Sequence, residues 1–411
     1  MVDREGGRLR VGLLGHGTVG AAFETLLAER AQRVAELTGR RPEIVGVLTR
    51  SSGDFEAILG ASDLIVELIG GVEDALGYVR AALESGRDVV TANKQLLSRH
   101  GEELWQLARE QGRSIGFEAA VAGVVPAIRV LRDSLAGVRI ERVHGIVNGT
   151  TNFILTEMTR TGSSYEVALA EAQRLGYAEA DPSEDVGGAD AAAKMAILAR
   201  LAFDAAVHLS DVRFEGIEQI TTDDIAYARD LGLALKLIGT AERIDGAISV
   251  RVHPAFLYPG HPLASVSGSF NAVTVEAPAI TEITMSGPGA GGTQTASAVL
   301  ADVISAAAGT QRPLPAAVPA PFVEDVTSAF YLHLRVIDRP GVLARIAQCL
   351  GEEGASIKSV VQRGLGDQAQ LVMVIHPLPE SRLRAAIAAI CEIEAVQGPP
   401  RAIRVIEEEF E

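Results

Sequence analysis

The sequence has little of several features that mark particular classes of protein. It contains two cysteines, Cys349 and Cys391, which show no Cys-x-x-Cys spacing. Neither a disulfide framework nor a cysteine zinc site is therefore indicated. No apolar run is long enough to span a bilayer, and the first ten residues lack the hydrophobic segment of a signal peptide. These absences predict a reduced, cytoplasmic protein with no membrane partner.

Positive charge is also scarce. The 411 residues include 53 acidic side chains but 37 lysines and arginines, which gives a formal net charge of −16. No basic stripe reverses this balance, so the composition argues against a nucleic-acid partner. Hydrophobic residues make up 47% of the chain. A chain of this length can form two or three domains and bury a large core.

The first third of the chain alternates short apolar strands with helical or turn segments. Strands are predicted at residues 9–14, 44–48, 64–69 and 88–91, and the first helix at residues 21–33. This alternation predicts an α/β domain with a parallel sheet and crossover helices.

A Gly-x-Gly-x-x-Gly motif lies between the first strand and the first helix, which is the context that indicates dinucleotide binding. Gly15 permits a tight turn, Gly17 lets the backbone approach a pyrophosphate, and Gly20 lets the helix pack closely on the strand. Thr18 and Val19 lie in the motif that opens the helix, whose free N–H groups point at the phosphates. The motif therefore predicts a Rossmann-type site for a nicotinamide dinucleotide.

The end of the second predicted strand indicates which nicotinamide cofactor binds. An NAD site usually has an acid there that holds the ribose 2′-hydroxyl. This chain has Arg50 and Ser51 instead, and the next acid is Asp54. Because an arginine can bind a 2′-phosphate bidentately, we predict NADP, with NAD as the alternative. A solvated arginine at the strand end is the competing interpretation of Arg50.

The block Gly176-Tyr-Ala-Glu179-Ala-Asp181-Pro182 precedes an alanine-rich helix that carries Asp190 and Lys194. These two residues are four apart, so they share one helix face. Asp190 also lies in the first helical turn, where the helix dipole favours a carboxylate. Taken alone, such a pair is most often a surface salt bridge of little energetic value.

The rest of the chain indicates two more units. The middle unit mixes strands at 139–147, 247–253 and 271–277 with long alanine-rich helices, which predicts an α+β domain. Residues 309–321 are rich in proline and lack periodicity, which is typical of a semi-extended linker. The final unit has the order β-α-β-β-α-β of a ferredoxin-like fold.

Several sequence blocks resemble homoserine dehydrogenases, in that family's order and over nearly the whole chain. The blocks are Thr91-Ala-Asn-Lys94-Gln-Leu-Leu, Phe117-Glu118-Ala-Ala-Val121-Ala-Gly123-Val-Val125-Pro, Gly145-Ile-Val-Asn148-Gly-Thr-Thr-Asn152, the segment from Gly176 to Lys194, and Gly287-Pro-Gly289-Ala-Gly291-Gly-Thr-Gln. The last unit also resembles an ACT domain. The resemblance implies an NAD(P)-binding domain at 1–135 and a substrate-binding and dimerisation domain at 136–308, whose last helix can return to the first domain. It further implies a linker at 309–326 and an ACT regulatory domain at 327–411.

The family interconverts L-aspartate 4-semialdehyde and L-homoserine with a nicotinamide cofactor, a step toward threonine, methionine and isoleucine. By resemblance, Glu179 holds the substrate ammonium and Asp190 orients polar groups at the reacting end. Lys194 is the expected proton donor to the aldehyde oxygen, and Lys94 is expected to contact the substrate and the nicotinamide end. Thr91 is expected beside the cofactor. Which of the two lysines transfers the proton stays open.

The Glu118 block resembles a monovalent-cation site of the family. By resemblance, sodium would lie among Glu118 and the backbone carbonyls of Val121, Gly123 and Val125. The chain departs from the family pattern because Ala122 and Val124 stand where glycine is common. A β-branched residue adopts positive φ only at a cost, so Val124 puts the loop geometry in question.

Two further turns are candidate ligand sites. Gly289 and Gly291 either close over the cofactor or form a plain turn at a helix N-terminus. Asp338-Arg-Pro-Gly341 resembles the turn where ACT domains bind amino acids, so threonine or another end-product is the expected effector. A plain turn into a helix is the alternative.

The sequence thus predicts a monofunctional homoserine dehydrogenase that acts on a small molecule as a homodimer or homotetramer. No aspartate kinase module is expected before the glycine loop, because only about a dozen residues precede it, far fewer than a domain needs. Two alternatives stay open. One is another hydroxy-acid dehydrogenase, and the other is a non-catalytic sensor of nicotinamides or amino acids.

Overall fold

The computed structural model describes residues 7–365 and 367–406. The predicted domains at 1–135 and 327–411 therefore extend outside the described residues. Within those residues, no helix is both long enough and apolar enough to cross a bilayer.

The N-terminal unit is a doubly wound parallel sheet, as the sequence predicts. Its elements are β1 (Gly7–Leu14), α1 (Thr18–Thr38), β2 (Arg40–Leu48), α2 (Phe55–Ala61), β3 (Leu64–Glu67), α3 (Glu73–Glu84), β4 (Asp88–Thr91), α4 (Lys94–Glu110) and β5 (Ile115–Gly116). The strands lie in the order β2-β1-β3-β4-β5 and all pair in parallel. The strand order reverses between β1 and β3. Folds of this kind bind ligands at the carboxyl ends of the strands beside that point.

Several predicted boundaries in this unit are wrong. The first two strands begin at Gly7 and Arg40 rather than at residues 9 and 44. The first helix spans Thr18–Thr38 rather than 21–33, with Gly17 as its N-cap. The third strand ends at Glu67 rather than at residue 69. The apolar pair Leu68 and Ile69 extends the hydrophobic run past the strand end, and this explains the error.

The middle unit is built on an antiparallel sheet. Its elements are α5 (Ala127–Arg129), β6 (Arg142–Ile146), α6 (Gly149–Thr161), α7 (Tyr165–Arg174), α8 (Ser183–Val186), α9 (Ala189–Phe203), β7 (Arg213–Phe214), α10 (Thr222–Asp230), β8 (Ala234–Ile244), β9 (Ala247–Leu257), β10 (Phe270–Ala277), β11 (Thr281–Pro288) and α11 (Gly292–Ala307). A π-helical stretch, Val130–Ser134, follows α5, and short 3-10 turns lie at Glu118–Ala120, Leu209–Asp211 and Pro262–Ser265. The main strands run in the order β11-β10-β6-β8-β9.

The sequence prediction missed β8 and β11. The segment that forms β8 is rich in leucine and alanine, which is also typical of a helix. A turn signal was present, however, because Asp245 and Gly246 join β8 to β9 and both have positive φ. An Asp-Gly pair between two extended segments favours a tight β-hairpin.

The helix α11 leaves the antiparallel sheet and packs on the N-terminal unit. Its Val299 and Val303 share a hydrophobic core with Phe23 and Leu27 of α1. The chain therefore returns from the middle unit to the N-terminal unit, and α11 covers one side of the parallel sheet.

The C-terminal unit has the predicted ferredoxin-like plan. It comprises β12 (Thr327–Ile337), α12 (Val342–Glu352), β13 (Ile357–Leu365), β14 (Gln368–Pro379), α13 (Glu380–Cys391) and β15 (Arg401–Ile406), with strand order β15-β12-β14-β13. In addition, β15 pairs in parallel with β9, so its sheet continues the sheet of the middle unit. No local sequence signal specifies a pairing between strands so far apart in the chain.

Residues 309–326 contain no helix or paired strand beyond isolated bridges, as the proline content indicates. The segment is nevertheless fixed to the middle unit. The N–H of Val318 donates to the carbonyl of Asp204 at 2.7 Å, and the N–H of Ile248 donates to that of Pro321 at 2.9 Å. These bonds fix the path of the chain into β12.

Candidate active site

Asp190 binds the side chains of two lysines. Lys94 Nζ lies 2.6 Å from Asp190 Oδ1, and Lys194 Nζ lies 2.7 Å from Asp190 Oδ2. The whole chain has four lysines, so half of them meet at one carboxylate. The helical spacing of Asp190 and Lys194 accounts for one contact. The other arises because Lys94 begins α4 directly after β4 and reaches across to α9.

Backbone and amide groups hold the side chains of this cluster in place. Lys194 Nζ also donates to the carbonyl of Val147 at 2.8 Å. Asn148 Nδ2 donates to Asp190 Oδ2 at 2.8 Å and to Asp185 Oδ1 at 2.7 Å. Asn148 is in turn the N-cap of α6, because its Oδ1 accepts the N–H of Thr151. Asn148 and Asp185 were not predicted to belong to the site, although Asp185 lies between the predicted acids Glu179 and Asp190.

The electrostatics of the cluster depend on Asp190, which is 2% exposed. Burial opposes its charge, but the ammonium groups of Lys194 and Lys94 outweigh burial and hold the pKa of Asp190 well below its usual value. Burial likewise opposes the charge of Lys94, yet the Asp190 carboxylate outweighs it and raises the pKa of Lys94. Burial and the charge of Asp190 raise the pKa of Asp185. Lys94 therefore stays cationic through neutral pH.

The predicted ammonium ligand, Glu179, lies on the exposed turn after α7. Its backbone carbonyl accepts Gln173 Nε2, and its carboxylate makes no hydrogen bond or ion pair with any residue of the described chain. The turn is anchored because Thr150 Oγ1 donates to the carbonyl of Tyr177 at 2.6 Å. The structure thus leaves the Glu179 carboxylate available for a ligand but does not bring it into contact with Asp190.

The glycine loop lies at the carboxyl end of β1, beside a cavity of about 440 Å³. Gly15 has φ +99°, and a Cβ at this position would lie 2.5 Å from the backbone of Leu68. Only glycine fits there. Thr18 and Val19 form the first turn of α1, and Gly20 packs against the carbonyl of Gly15. The cavity is lined by Gly15, His16, Gly17, Leu48, Thr49, Arg50, Ser51, Leu68, Ile69, Asp74 and Tyr78.

Arg50 and Ser51 form the wall of this cavity at the end of β2. Arg50 is exposed, and its side chain makes no hydrogen bond or ion pair with any described residue. Asp54 does not line this cavity, and its Oδ1 accepts the N–H groups of Glu56 and Ala57 as the N-cap of α2. Among the described residues, Asp74 at the start of α3 is the one acid on the cavity wall.

Thr91 is fully buried, and its hydroxyl donates to Glu67 Oε2 at 2.6 Å. That hydroxyl therefore bonds within the protein interior and does not face the cofactor cavity. Glu67 was not predicted as a functional residue, although a single acid within an otherwise apolar strand was a visible signal.

The Glu118 loop forms a left-handed turn, although Val124 made such a turn doubtful from the sequence. Ala122 and Gly123 have φ +58° and +62°, and Val124 is not among the residues with positive φ. The expected cost of positive φ at Val124 does not arise, because Ala122 takes the left-handed conformation instead. The carboxylate of Glu118 accepts the N–H groups of Ile128 and Arg129. Burial and the nearby Asp302 raise the pKa of Glu118 to about 7.

Within residues 7–365 and 367–406, no cluster of three or more His, Cys, Asp or Glu side chains could hold a metal ion. A site in the Glu118 loop would therefore depend on backbone carbonyls. The carbonyl of Val125 already accepts the N–H of Ala127 at 2.8 Å. Those of Val121 and Gly123 have no backbone partner among the described bonds.

Gly289 and Gly291 lie in the turn that begins α11, where Gly291 is the N-cap. A Cβ on Gly123 would lie 2.5 Å from the carbonyl of Gly289, and Gly292 packs against Thr18 at the start of α1. The turn therefore contacts both the Glu118 loop and the N-terminus of α1.

In the C-terminal unit, Asp338 and Gly341 border a cavity of about 340 Å³ at the N-terminus of α12. Gly341 has φ +88° and is the N-cap of that helix. Gln362 Nε2 donates to Asp338 Oδ1 at 3.2 Å. The cavity also contains Leu343 and Leu371, which give it an apolar side.

Three family models match the chain. A model described as homoserine dehydrogenase matches residues 126–304, one described as homoserine dehydrogenase, NAD binding domain, matches residues 15–118, and one described as ACT domain matches residues 331–395. Together they cover each of the three units described above.

Curated relatives are similar over nearly their whole length. The homoserine dehydrogenase of Neisseria gonorrhoeae is 39% identical, over 97% of this chain and 98% of the relative. That of Corynebacterium glutamicum is 41% identical, over 97% of this chain and 96% of the relative.

Solved structures give the same picture. A homoserine dehydrogenase from Thiobacillus denitrificans superposes with a TM-score of 0.92 at 38% identity, covering 97% of this chain and 98% of that one. A hyperthermophilic archaeal homoserine dehydrogenase in complex with NADPH superposes with a TM-score of 0.65 at 27% identity, covering 75% of this chain and 100% of that one.

Proposed function

The chain belongs to the homoserine dehydrogenase family of NAD(P)-dependent oxidoreductases, and on that premise we propose that it uses NADP to interconvert L-aspartate 4-semialdehyde and L-homoserine. The observation that carries the proposal is the meeting of Lys94 and Lys194 at Asp190. Lys94 follows β4 directly, so the pair lies at the carboxyl edge of the parallel sheet, where such folds bind cofactors.

The reduction needs a hydride at C4 of the substrate and a proton at its oxygen. A bound nicotinamide cofactor supplies the hydride. We propose that Lys194 donates the proton, because Asp190 and the Val147 carbonyl fix the position of its ammonium. Lys94 keeps its charge near neutral pH, which suits a group that stabilises a developing alkoxide.

The exposed carboxylate of Glu179 is the proposed partner of the substrate ammonium. Its lack of protein partners in the described chain supports this role, because a substrate ammonium would displace only water. Asp185 and Asn148 hold Asp190 in place. In this arrangement the carboxylates receive the ammonium end, and the lysines receive the reacting oxygen.

NADP is the proposed cofactor because of what lies at the end of β2. Arg50 and Ser51 face the cavity with donor groups, and Asp54 is committed to the α2 N-cap. The archaeal relative was solved in complex with NADPH. Gly289 and Gly291, at the α11 N-terminus, are proposed to complete the cofactor site beside Thr18.

One assay tests both proposals. Purified protein given L-homoserine at alkaline pH should reduce NADP⁺, and absorbance at the reduced-nicotinamide band follows the rate. The substitution Arg50→Ala should raise the KM for NADP⁺ by ~10-fold or more, since a bidentate charge-assisted contact is worth roughly 1.5–3 kcal/mol. The KM for NAD⁺ should change little, because NAD⁺ has no 2′-phosphate.

Arg41→Ala is the matched control, because Arg41 is an exposed arginine on the same strand. It should leave both KM values unchanged. Equal effects of Arg50→Ala on the two cofactors would show that Arg50 does not contact the 2′-phosphate. Activity with another hydroxy acid but not with homoserine would refute the proposed reaction.

A monovalent cation such as sodium is also proposed at the Glu118 loop. The left-handed backbone at Ala122 and Gly123 supports this, because a loop of that shape can turn successive carbonyls to one side. A cation would also stabilise the buried carboxylate of Glu118, whose pKa burial raises to about 7. Oxygen ligands of this kind suit hard cations. The carbonyls of Val121 and Gly123 would be the main ligands, with Val125 the weakest because it already accepts a hydrogen bond.

Threonine is the proposed effector of the C-terminal unit. Asp338 can pair with an amino group, and the free N–H groups at the start of α12 can bind a carboxylate. A path to the active site exists through α10, which packs on this unit's sheet. Asp224 of α10 is fully buried and accepts hydrogen bonds from His333 on β12 and from Arg401 on β15. In turn, α10 contacts α6, whose N-cap is Asn148.

Titration with L-threonine should release or absorb heat and should lower the dehydrogenase rate. L-Valine is the matched control ligand, because it has the same shape without the hydroxyl group. The substitution Asp338→Ala should weaken threonine binding by ~10-fold, the loss expected for one charge-assisted contact. If threonine causes neither heat change nor rate change, threonine is not the effector of the C-terminal unit.

A further inference from the structure

Glu67 is a fully buried acid at the point where the parallel sheet reverses its strand order. It is the last residue of β3 and is 0% exposed. Burial raises the pKa of its carboxyl, and hydrogen bonds from Thr91 and from the backbone at Ile69 oppose this rise. A buried carboxylate is costly unless it is hydrogen-bonded, so the hydrogen bonds of Glu67 are what stabilise it at this position.

Those bonds join two loops at the carboxyl edge of the sheet. Glu67 Oε2 accepts the hydroxyl of Thr91 at 2.6 Å, and Oε1 accepts the N–H of Ile69 at 2.8 Å. Its backbone carbonyl also accepts the N–H of Ala92 at 3.4 Å. One residue therefore fixes both the loop after β3 and the turn after β4.

The turn after β4 is the one that presents Lys94. The hydroxyl of Thr91 accepts the N–H of Asn93 at 3.0 Å. Asn93 is the N-cap of α4 through its contact with the N–H of Leu96, and its Nδ2 donates to the carbonyl of Gly71 at 2.6 Å. Lys94 is the first residue of that helix. A chain of hydrogen bonds thus connects the Glu67 carboxylate to the base of the Lys94 side chain.

The loop after β3 forms part of the cofactor cavity. Leu68 and Ile69 line it, and the backbone of Leu68 is the group against which Gly15 packs. The bond from Ile69 to Glu67 therefore sets the position of the surface on which the glycine loop rests.

We propose that Glu67 is a positioning residue. It holds Lys94 within reach of Asp190, and it fixes the position of Lys94 relative to the loop after β3 that lines the cofactor cavity. Its carboxylate forms no ion pair with Lys94 among the described residues, and it acts through Thr91 in the turn after β4 and through Ile69 in the loop after β3. The inference rests on the proposed role of Lys94 in the reaction. It predicts that Glu67 and Lys94 act as one unit in catalysis.

A double-mutant cycle in the full-length protein tests this. Glu67→Gln keeps the size of the side chain, but its Nε2 is a donor, so either the Ile69 N–H or the Thr91 hydroxyl loses the acceptor that it has in the wild type. Alone, it should lower kcat by about 100-fold, the scale expected for a displacement of about 1 Å in a catalytic group. In a Lys94→Ala background it should lower kcat by no more than about threefold, because residues that act as one unit are not additive.

Thr91→Val is the second variant, because it removes the hydroxyl between Glu67 and Asn93 without changing the volume of the side chain. It should show the same lack of additivity with Lys94→Ala. Asp88→Ala is the control. Asp88 begins β4 at the opposite end of the strand, and its Oδ1 accepts an N–H and a hydroxyl, both from Ser114. Removing both bonds should lower the melting temperature but leave kcat within about twofold, since the two ends of the strand are independent.

Losses from Glu67→Gln and Lys94→Ala that multiply would overturn the proposal while leaving the role of Lys94 intact. A loss of kcat in Asp88→Ala as large as that in Glu67→Gln would also overturn it. If Lys94→Ala itself leaves kcat unchanged, the role of Lys94 fails and the role of Glu67 fails with it.

Discussion

The substitution Lys194→Met should abolish turnover and leave nicotinamide binding intact. Methionine preserves the length of the side chain but cannot donate a proton to the substrate oxygen. A positioned acid or base contributes roughly 10²–10⁴-fold to rate, so kcat should fall by about 10³-fold. The Lys194 ammonium binds Asp190 and the Val147 carbonyl, not the glycine loop. The dissociation constant for NADPH, measured by fluorescence, should therefore be unchanged.

Lys358→Met is the matched control for the loss of a lysine. Lys358 lies on β13 in the C-terminal unit, with its ammonium 5.2 Å from the ring of Tyr258. Its removal should leave kcat unchanged. A Lys194→Met enzyme that retains more than a tenth of the wild-type kcat would show that another group transfers the proton. Lys94 would then be the next candidate.

Much of the fold could be predicted from the sequence, because its strands and helices carry strong local patterns. The strand that ends at Thr91 has the predicted bounds, and the glycine loop lies where its motif places it. The strand β8 could not be recognised, because its leucine and alanine content is compatible with a helix until pairing with β9 decides. The pairing of β9 with β15 joins distant parts of the chain and has no local signal at all.

The active-site cluster shows the same division between local and distant contacts. The spacing of Asp190 and Lys194 on one helix predicts their contact, and the structure has it. The family resemblance placed Lys94 at the same site, but its contact with Asp190 from the other domain was not predicted. The network of Asn148, Asp185 and Glu67 around the lysines depends on tertiary packing, so no spacing rule could predict it.

The substitution Asp190→Asn should cost both stability and activity, because it leaves two lysines close together without a countercharge. Breaking a buried ion pair by removing one partner typically costs about 3–5 kcal/mol. We expect a loss of that size in the free energy of unfolding at pH 7, measured in urea. Without the carboxylate, burial dominates and the pKa of Lys94 should fall. The fall in kcat should be accompanied by a pH–rate profile shifted toward lower pH.

The dependence of stability on pH separates this electrostatic role from simple packing. The folded-state pKa of Asp190 lies below its unfolded value of 3.8, so its contribution is fully present above that pH and disappears as the pH falls through the folded value. The stability difference between the wild type and Asp190→Asn should therefore be constant near neutral pH and shrink below about pH 4. Asp185→Asn is the control, because the pKa of Asp185 is raised rather than lowered. Its neutralisation removes a repulsion from Asp190 and should cost much less. A stability difference for Asp190→Asn that persists unchanged in acid would mean that shape, rather than charge, makes Asp190 necessary.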